Sequence, residues 1–396
     1  MNMPSKYTYY DIHNFIAELK GEQVEVFSKP GLPAWNQISP PTTLLAEALH
    51  LNSTDRVLLF GCYQGALAVI LARMLSNGSL WVTDTNIIAL QMTRLTLEAN
   101  HVSNVNLIDD IEIQPEHYGN FNAVIVQIPK GRKIARRWLL RAYQALSPGG
   151  NLFIAGANKE GIQSIIKDAD SLFGNVNILS YKKGNRLARS IKTSLPIPLL
   201  EWVQAPGIAI GTWYEFVIDL PDYSVHIHSL PGIFSYDGLD EGTELLLREL
   251  VIPPGAHVLD VGCGYGIIGL YAASLGSEWV DLIDNNLLAI ASTQENIRLN
   301  KITNAKVFPG DLLNSIGENK YNLILSNPPF HTGQAVDYQV AQTMIVNSHQ
   351  ALALDGQLIL VANKFIRYDR LMQQIFGNIV YLKETGKYHV LASLNS

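Results

Sequence analysis

The sequence predicts an α/β protein made of two tandem Rossmann-like domains, each a doubly wound and mostly parallel sheet. Two observations carry this. Apolar, strand-like runs alternate with helical stretches along most of the chain. The order strand, glycine turn, helix, strand, aspartate also recurs in both halves with a period near 200 residues. That period is too long for a solenoid and right for two domains.

A chain of 396 residues is long enough for each domain to bury its own core. No apolar run approaches the ~20 residues of a membrane span. Met1 to Lys20 has neither the basic nor the apolar region of a signal peptide, so a cytoplasmic protein is expected, with no membrane partner. Cys62 and Cys263 each sit in a glycine-containing turn without metal-ligand spacing; they read as reduced thiols, and no metal is expected. The net charge of −6 is unevenly divided, with +3 over residues 1–205 and −9 over residues 206–396. From Lys130 to Lys192 there are 13 basic residues and three acidic ones, Glu160, Asp168 and Asp170. Such asymmetry points to one polyanion-facing half.

In chain order, Asp11–Lys20 reads as a short helix, and Pro30, Pro33, Pro40 and Pro41 punctuate a loop. Thr42–Leu51 is helical, with Thr42 or Thr43 as its cap. Strand Arg56–Phe60 leads into Gly61-Cys62-Tyr63-Gln64-Gly65 and helix Ala66–Leu75. Strand Leu80–Thr83 ends at Asp84, before helix Ile87–Asn100. Strand Ala123–Gln127 precedes Ile128-Pro129-Lys130-Gly131, a basic helix Lys133–Leu146 and strand Asn151–Ala155. Ser194–Pro206, with three prolines, reads as a link, giving domains 1–193 and 212–396 around a linker 194–211. Val217–His228 is a hairpin turning at Pro221-Asp222. Strand Val258–Val261, turn Gly262–Gly266, helix Ile267–Ser274 and strand Trp279–Ile283, ending at Asp284, repeat the earlier order. Helix Leu287–Asn300, strand Lys306–Phe308 with Gly310-Asp311, and strand Leu323–Ser326 follow. Helix Val340–Leu352 and strand Gln357–Val361 come last.

The chemistry concentrates in the second half. Gly264, Gly266 and Gly269 satisfy GxGxxG after a strand, a weak signal for a dinucleotide fold. Asp260 shifts the reading, because a carboxylate there disfavours a pyrophosphate and suits a cation such as the sulfonium or ammonium of S-adenosylmethionine. Asp284, 20 residues after Gly264, suits two ribose hydroxyls, and Asp311 an adenine amino group. Ser326-Asn327-Pro328-Pro329-Phe330 follows a buried strand, and its paired prolines stiffen the turn. The Asn327 side-chain oxygen and the Pro328 carbonyl can both accept from an exocyclic amine while the Phe330 ring stacks on the base.

DVGCGYG, the aspartate after the second strand, GD after the third and NPPF after the fourth resemble a class I S-adenosylmethionine-dependent N-methyltransferase. Pro231 to Asp240, His331 after NPPF, Val361-Ala362-Asn363, Phe376-Gly377 and Thr385 to Tyr388 narrow the resemblance to ribosomal RNA guanine-N2 methyltransferases. Within these the small-subunit (16S) methyltransferase C family is the best match. The resemblance covers residues 212–396 and reaches the first half through Pro129-Lys130, Pro148-Gly149-Gly150 and Gly156 to Gly161. It implies a catalytically dead, duplicated N-terminal domain. It further implies that Asp260, Gly262, Gly264, Gly266, Asp284 and Asp311 hold the cofactor and that Asn327, Pro328, Pro329 and Phe330 hold a flipped guanine. Phe234, Asp237 and Asp240 would lie over the site. The partner would be ribosomal RNA or a ribosomal subunit, met by a monomer.

In the first half Phe60 replaces the acidic neighbourhood, and Gln127-Ile128-Pro129-Lys130 stands where NPPF would be, so no methyl transfer is expected there. Lys130, Arg132, Lys133, Arg136, Arg137 and Arg141 lead the basic cluster that would meet phosphates. Alternative readings are a methylator of large-subunit rRNA guanine, of adenine-N6 or of protein glutamine. A non-catalytic assembly factor and a nicotinamide oxidoreductase are the readings from other classes.

Overall fold

The computed structural model describes residues 8–109, 112, 114–194, 197–221, 223–328 and 335–396. Contacts divide the chain into two units, Tyr10–Thr212 and Trp213–Ser396, and Thr8 and Tyr9 group with the second. The N-terminal unit opens with β1 (His13–Leu19), β2 (Glu22–Ser28), α1 (Pro40–Ala48), β3 (Arg56–Phe60), α2 (Ala66–Met74), β4 (Ser79–Thr83) and α3 (Ile87–Ala99). It continues through β5 (Val105–Ile108), β6 (Phe121–Gln127), α4 (Arg132–Ala145), β7 (Leu146–Ala157), α5 (Ile162–Phe173), β8 (Asn177–Lys182) and β9 (Asn185–Ile191). The C-terminal unit repeats the pattern with β10 (Tyr214–Leu220), β11 (Tyr223–Ser229), α6 (Glu241–Glu249), β12 (His257–Val261), α7 (Ile267–Ser274), β13 (Trp279–Asp284) and α8 (Leu287–Leu299). It ends with β14 (Ala305–Pro309), β15 (Tyr321–Ser326), α9 (Ala335–Ala351), β16 (Leu352–Asn363), α10 (Tyr368–Phe376), β17 (Val380–Glu384) and β18 (Tyr388–Leu394).

Each unit holds a seven-stranded sheet, ordered β5-β4-β3-β6-β7-β9-β8 in one and β14-β13-β12-β15-β16-β18-β17 in the other. All neighbours are parallel except at β9 and β18, which run antiparallel to both of theirs. The central strands carry apolar runs, as strands covered on both faces do; Val57, Leu58 and Leu59 in β3 and Leu323, Ile324 and Leu325 in β15 are buried. A hairpin precedes each sheet, β1–β2 and β10–β11. Among the described residues no helix is long and apolar enough to cross a membrane.

The structure corrects two expectations. Asp11–Lys20 holds strand β1, not a helix: its burial alternates with period two, the pattern of a half-covered strand. The cap of α1 is Ser39, whose Oγ accepts the Thr42 N–H at 3.3 Å ahead of Pro40 and Pro41 in the first turn, where proline's missing N–H costs nothing. Residues 197–212, which take in most of the expected linker, group with the N-terminal unit, and Val203 and Ile208 there are buried.

Two arginines of α4 hold that segment. Arg137 donates to the Gly207 carbonyl and Arg141 to the Ile208 carbonyl, each at 2.6 Å. Both also bind Glu112. They are 2% and 1% exposed, and burial, with the neighbouring Arg141 charge, lowers the Arg137 pKa to about 10. Arg137→Ala removes one partner of a buried ion pair and should cost about 3 kcal/mol of stability, near the lower end for such pairs because Glu112 is only partly covered. Denaturant unfolding measures this; an unchanged midpoint would mean that the segment packs without the arginine.

Candidate functional site

In the C-terminal sheet the strand order reverses between β12 and β15, and helices leave those strands on opposite sides. Doubly wound sheets leave a crevice at such a point, beyond the carboxyl ends of the strands. A cavity of about 490 Å³ lies there, lined by Val261 to Tyr265 after β12, Ile283 to Asn286 after β13, and Asn327 and Pro328 after β15. Gly232 to Ser235, Asp240 and Thr243 close it from the segment before β12.

The glycine turn is a backbone surface. Gly264 has φ +58° and donates its N–H to Asp284 Oδ2 at 2.9 Å. Asp284 Oδ1 accepts the Asn286 N–H at 2.8 Å, so the aspartate is clamped at the cavity edge. Burial raises its pKa against those hydrogen bonds. Gly266 starts α7 at φ +91°, and a Cβ there would lie 2.8 Å from Thr293 Cγ2. Gly262 and Gly264 line the cavity; Gly266 does not, and its part is to let α7 start where it does.

Asp260 also stands back from the cavity wall. It is fully buried, its Oδ2 accepts the Gly269 N–H at 2.9 Å, and its Oδ1 has no partner. Burial, with a smaller contribution from the Asp284 charge, pushes its pKa up to about 7. Asp311 is likewise buried and outside the lining, although Gly310 and Leu312 on either side of it belong to the wall. Its Oδ1 accepts a 2.6 Å hydrogen bond from the hydroxyl of Tyr9. Nothing in the sequence of the N-terminal arm signals this contact.

The most specific geometry is at Asn327. Its Nδ2 donates to Thr243 Oγ1 at 2.7 Å and to Asp240 Oδ2 at 3.2 Å. Asp240 caps α6, accepting the Thr243 N–H at 3.0 Å with the same oxygen. Both amide hydrogens of Asn327 therefore have acceptors on one side. Its Oδ1, buried in the cavity wall, has no partner, and a buried unsatisfied acceptor is costly unless a ligand supplies the donor. Thr243 escapes a motif reading, but alignment of the halves finds it: Ser39 and Thr42 at the start of α1 stand where Asp240 and Thr243 stand in α6.

Phe234 is 58% exposed at the cavity mouth. Tyr265 Oη donates to the Gly238 carbonyl at 3.0 Å and pins the segment that carries Phe234. Asp237 is exposed and does not line the cavity. Pro329, Phe330 and His331 lie outside the described residues. Cys62 and Cys263 are buried free thiols, each held protonated by its burial. Among the described residues no three His, Cys, Asp or Glu side chains gather as metal ligands would.

The N-terminal unit has the same frame with its atoms consumed internally. By strand register Leu59, rather than Phe60, takes the place of Asp260, and Gln127 takes that of Asn327. Tyr63 occupies the left-handed position of Gly264, at φ +51°. Gln127 Nε2 donates to the Gly61 carbonyl at 2.6 Å, and its Oε1 accepts from Thr42 Oγ1 at 2.5 Å. The basic cluster is also partly structural. Arg132 and Arg136 both make bidentate pairs with Asp168, and Arg136 lies over the Trp202 ring. Arg137 and Arg141 are buried on Glu112, so each of these two carboxylates offsets half the charge of the pair of arginines that shares it. Lys130, Arg132 and Lys133 remain exposed.

The sequence matches the model of the Methyltransferase small domain family twice, over residues 23–188 and 224–392. Ribosomal RNA small subunit methyltransferase C of Psychromonas ingrahamii is 30% identical over 358 residues, 90% of this chain and 97% of the relative. Its namesake in Pseudomonas putida is 32% identical over 297 residues, 73% of this chain and 86% of the relative. A T. thermophilus 16S rRNA N2 methyltransferase, solved in complex with AdoMet and guanosine, shares the fold with a TM-score of 0.80 at 24% identity, covering 98% of this chain and 99% of the other.

Asp260 links the site to pH. Its native pKa of about 7 compares with about 3.9 for an unfolded aspartate. Between those values the native state holds a proton that the unfolded chain has released. The contribution to stability is thus full below about pH 4 and is lost as pH rises through about 7. Asp260→Asn retains an acceptor for the Gly269 N–H and should flatten this fall in the ligand-free protein. Denaturant midpoints across the range test it, and equal slopes for the two proteins would mean that Asp260 does not titrate there.

Proposed function

Because the chain belongs to the ribosomal RNA small subunit methyltransferase C family, we propose that it transfers the methyl group of S-adenosylmethionine to the exocyclic N2 amine of a guanine in small-subunit rRNA. The observation that carries this reading is Asn327 Oδ1, a buried acceptor without a partner in the wall of a cavity walled by the glycine turn. An amine donor is what that atom requires.

The residues present fit the cofactor. Gly262 and Gly264 offer backbone to it, and Asp284, whose oxygens each keep a lone pair beyond the backbone bonds they accept, suits the two ribose hydroxyls. Ile233, Ile283 and Leu312 give apolar surface for a flat base. Asp260 acts from behind, fixing the start of α7 through Gly269. Asp311, tied to Tyr9, stands beside the wall residues Gly310 and Leu312 and suits an adenine amine. When bound, S-adenosylmethionine supplies a methyl group made electrophilic by its sulfonium.

The protein's own contribution is to hold the nucleophile. A guanine N2 is a poor nucleophile because its lone pair delocalises into the ring. Accepting one N–H at Asn327 Oδ1 and the other at the Pro328 carbonyl favours a pyramidal, more reactive nitrogen. Phe234 at the mouth offers a face for the base to stack on. Orientation in a water-poor wall supplies much of the remainder. The exposed Lys130, Arg132 and Lys133 of the N-terminal unit meet phosphates. The protein works as a cytoplasmic monomer, on rRNA or on the assembled small subunit.

Methyl transfer from labelled S-adenosylmethionine to deproteinised rRNA and to isolated subunits, followed by nucleoside mass analysis, tests the reading. N2-methylguanine in small-subunit rRNA is expected; label in adenine, in large-subunit rRNA or in protein would overturn the substrate. Asn327→Ala should lower kcat by roughly 10²–10³-fold with cofactor affinity nearly unchanged, and lost cofactor binding would show that the residue serves the cofactor instead. Replacing Lys130 and Lys133 by Glu should weaken rRNA binding and reduce its salt slope by about one per lost phosphate contact. An unaltered slope would remove this surface from the interface.

A further inference from the structure

The two units carry the same hydrogen-bond chain running in opposite directions. Each joins a helix N-cap, the threonine three residues on and the amide residue at the carboxyl end of the fourth parallel strand of its sheet. In the C-terminal unit the cap is Asp240. A carboxylate only accepts, so the hydrogens point toward it: Thr243 Oγ1 donates to Asp240 Oδ2 at 3.4 Å, and the Asn327 amide nitrogen donates to both. The amide oxygen is left without a partner, on a residue that lines the cavity. In the N-terminal unit the cap is Ser39, a group that can also donate. Ser39 Oγ lies 2.8 Å from Thr42 Oγ1, and Thr42 Oγ1 donates to the Gln127 oxygen. The amide nitrogen there turns to the Gly61 carbonyl.

We infer that Asp240 is a positioning residue for methyl transfer. As the acceptor that ends the chain, it fixes the side-chain amide of Asn327 with the oxygen toward the substrate amine. Without it the two ends of the amide differ little in shape, and the wrong one, an NH2 group, would meet the NH2 of the substrate. The helix-capping bond makes the lock firm, because the oxygen that orients Asn327 also accepts the Thr243 N–H and so cannot rotate away without uncapping α6. This rests on the assignment of Asn327 Oδ1 to the substrate amine, which the product assay on the unaltered protein tests by itself.

Three variants test the lock in steady-state kinetics with rRNA. Asp240→Ser recreates the N-terminal arrangement with a residue that caps helices well, so the fold is retained. Its kcat should fall by at least roughly 10-fold, and by no more than the roughly 10²–10³-fold of losing the direct contact, while KM for S-adenosylmethionine stays within about 2-fold, since no bond to the cofactor is removed. Asp240→Asn keeps an oxygen toward the Thr243 N–H and should recover most of that loss. In an Asn327→Ala background, Asp240→Ser should cost nothing further, because a residue acting only through Asn327 has nothing left to act on. An unchanged kcat for Asp240→Ser, a rise in cofactor KM in place of a fall in kcat, or losses that multiply in the double variant would each overturn the inference. Absence of N2-methylguanine from the unaltered protein's product would instead overturn the proposed function.

Discussion

A carboxylate has no hydrogen to give, and that one-way character organises the cavity of the C-terminal unit. Asp240 ends a chain in which Thr243 and Asn327 are donors, so one amide oxygen is left unsatisfied at the place where the sheet's strand order reverses. The topology provides the crevice; the chain of hydrogen bonds gives the crevice its polarity. The glycine turn and the clamped Asp284 on the neighbouring strands complete a wall of backbone and fixed carboxylate, with little freedom left to lose on binding.

The N-terminal unit shows what the same frame becomes without that constraint. Its sheet order is the same, its hairpin and capped helix are in the same places, and its aspartate after the second strand still accepts backbone N–H groups, from Cys62 and Asn86. Yet Leu59 gives the position of Asp260 no charge, Tyr63 puts a side chain where Gly264 offers bare backbone, and both ends of the Gln127 amide are taken within the unit. Packing has absorbed what was available for a ligand. Its arginines follow the same course, since Arg137 and Arg141 spend their charge on Glu112 and on two carbonyls of the segment leading to the second unit.

Features set by local backbone chemistry were legible in the chain: the strand–glycine–helix–strand–aspartate order, the duplication, and strand β15 with Asn327 directly after it. What was not legible depended on partners far away in sequence. The prolines of 194–211 signal turns but not that Val203 and Ile208 find a core. A run of arginines shows charge, yet Glu112, 25 residues before Arg137, lies well outside the basic stretch Lys130 to Lys192. Asp260 stands near the end of β12, but periodicity does not say that its side chain is buried behind the cavity wall. Tyr9 is the extreme case, 302 residues from the carboxylate it binds. The hairpin strand β1 was lost to a helical reading because exposed Ile12 and Ile16 blur its alternation.

The decisive measurement is a crystal structure of the protein with guanosine and S-adenosylhomocysteine, at a resolution that separates amide oxygen from nitrogen. The guanine N2 is expected within about 3 Å of Asn327 Oδ1, with Nδ2 of the same residue still on Asp240 and Thr243. A base seated with its amine away from Asn327, or an Asn327 amide turned so that its nitrogen faces the base, would contradict that expectation.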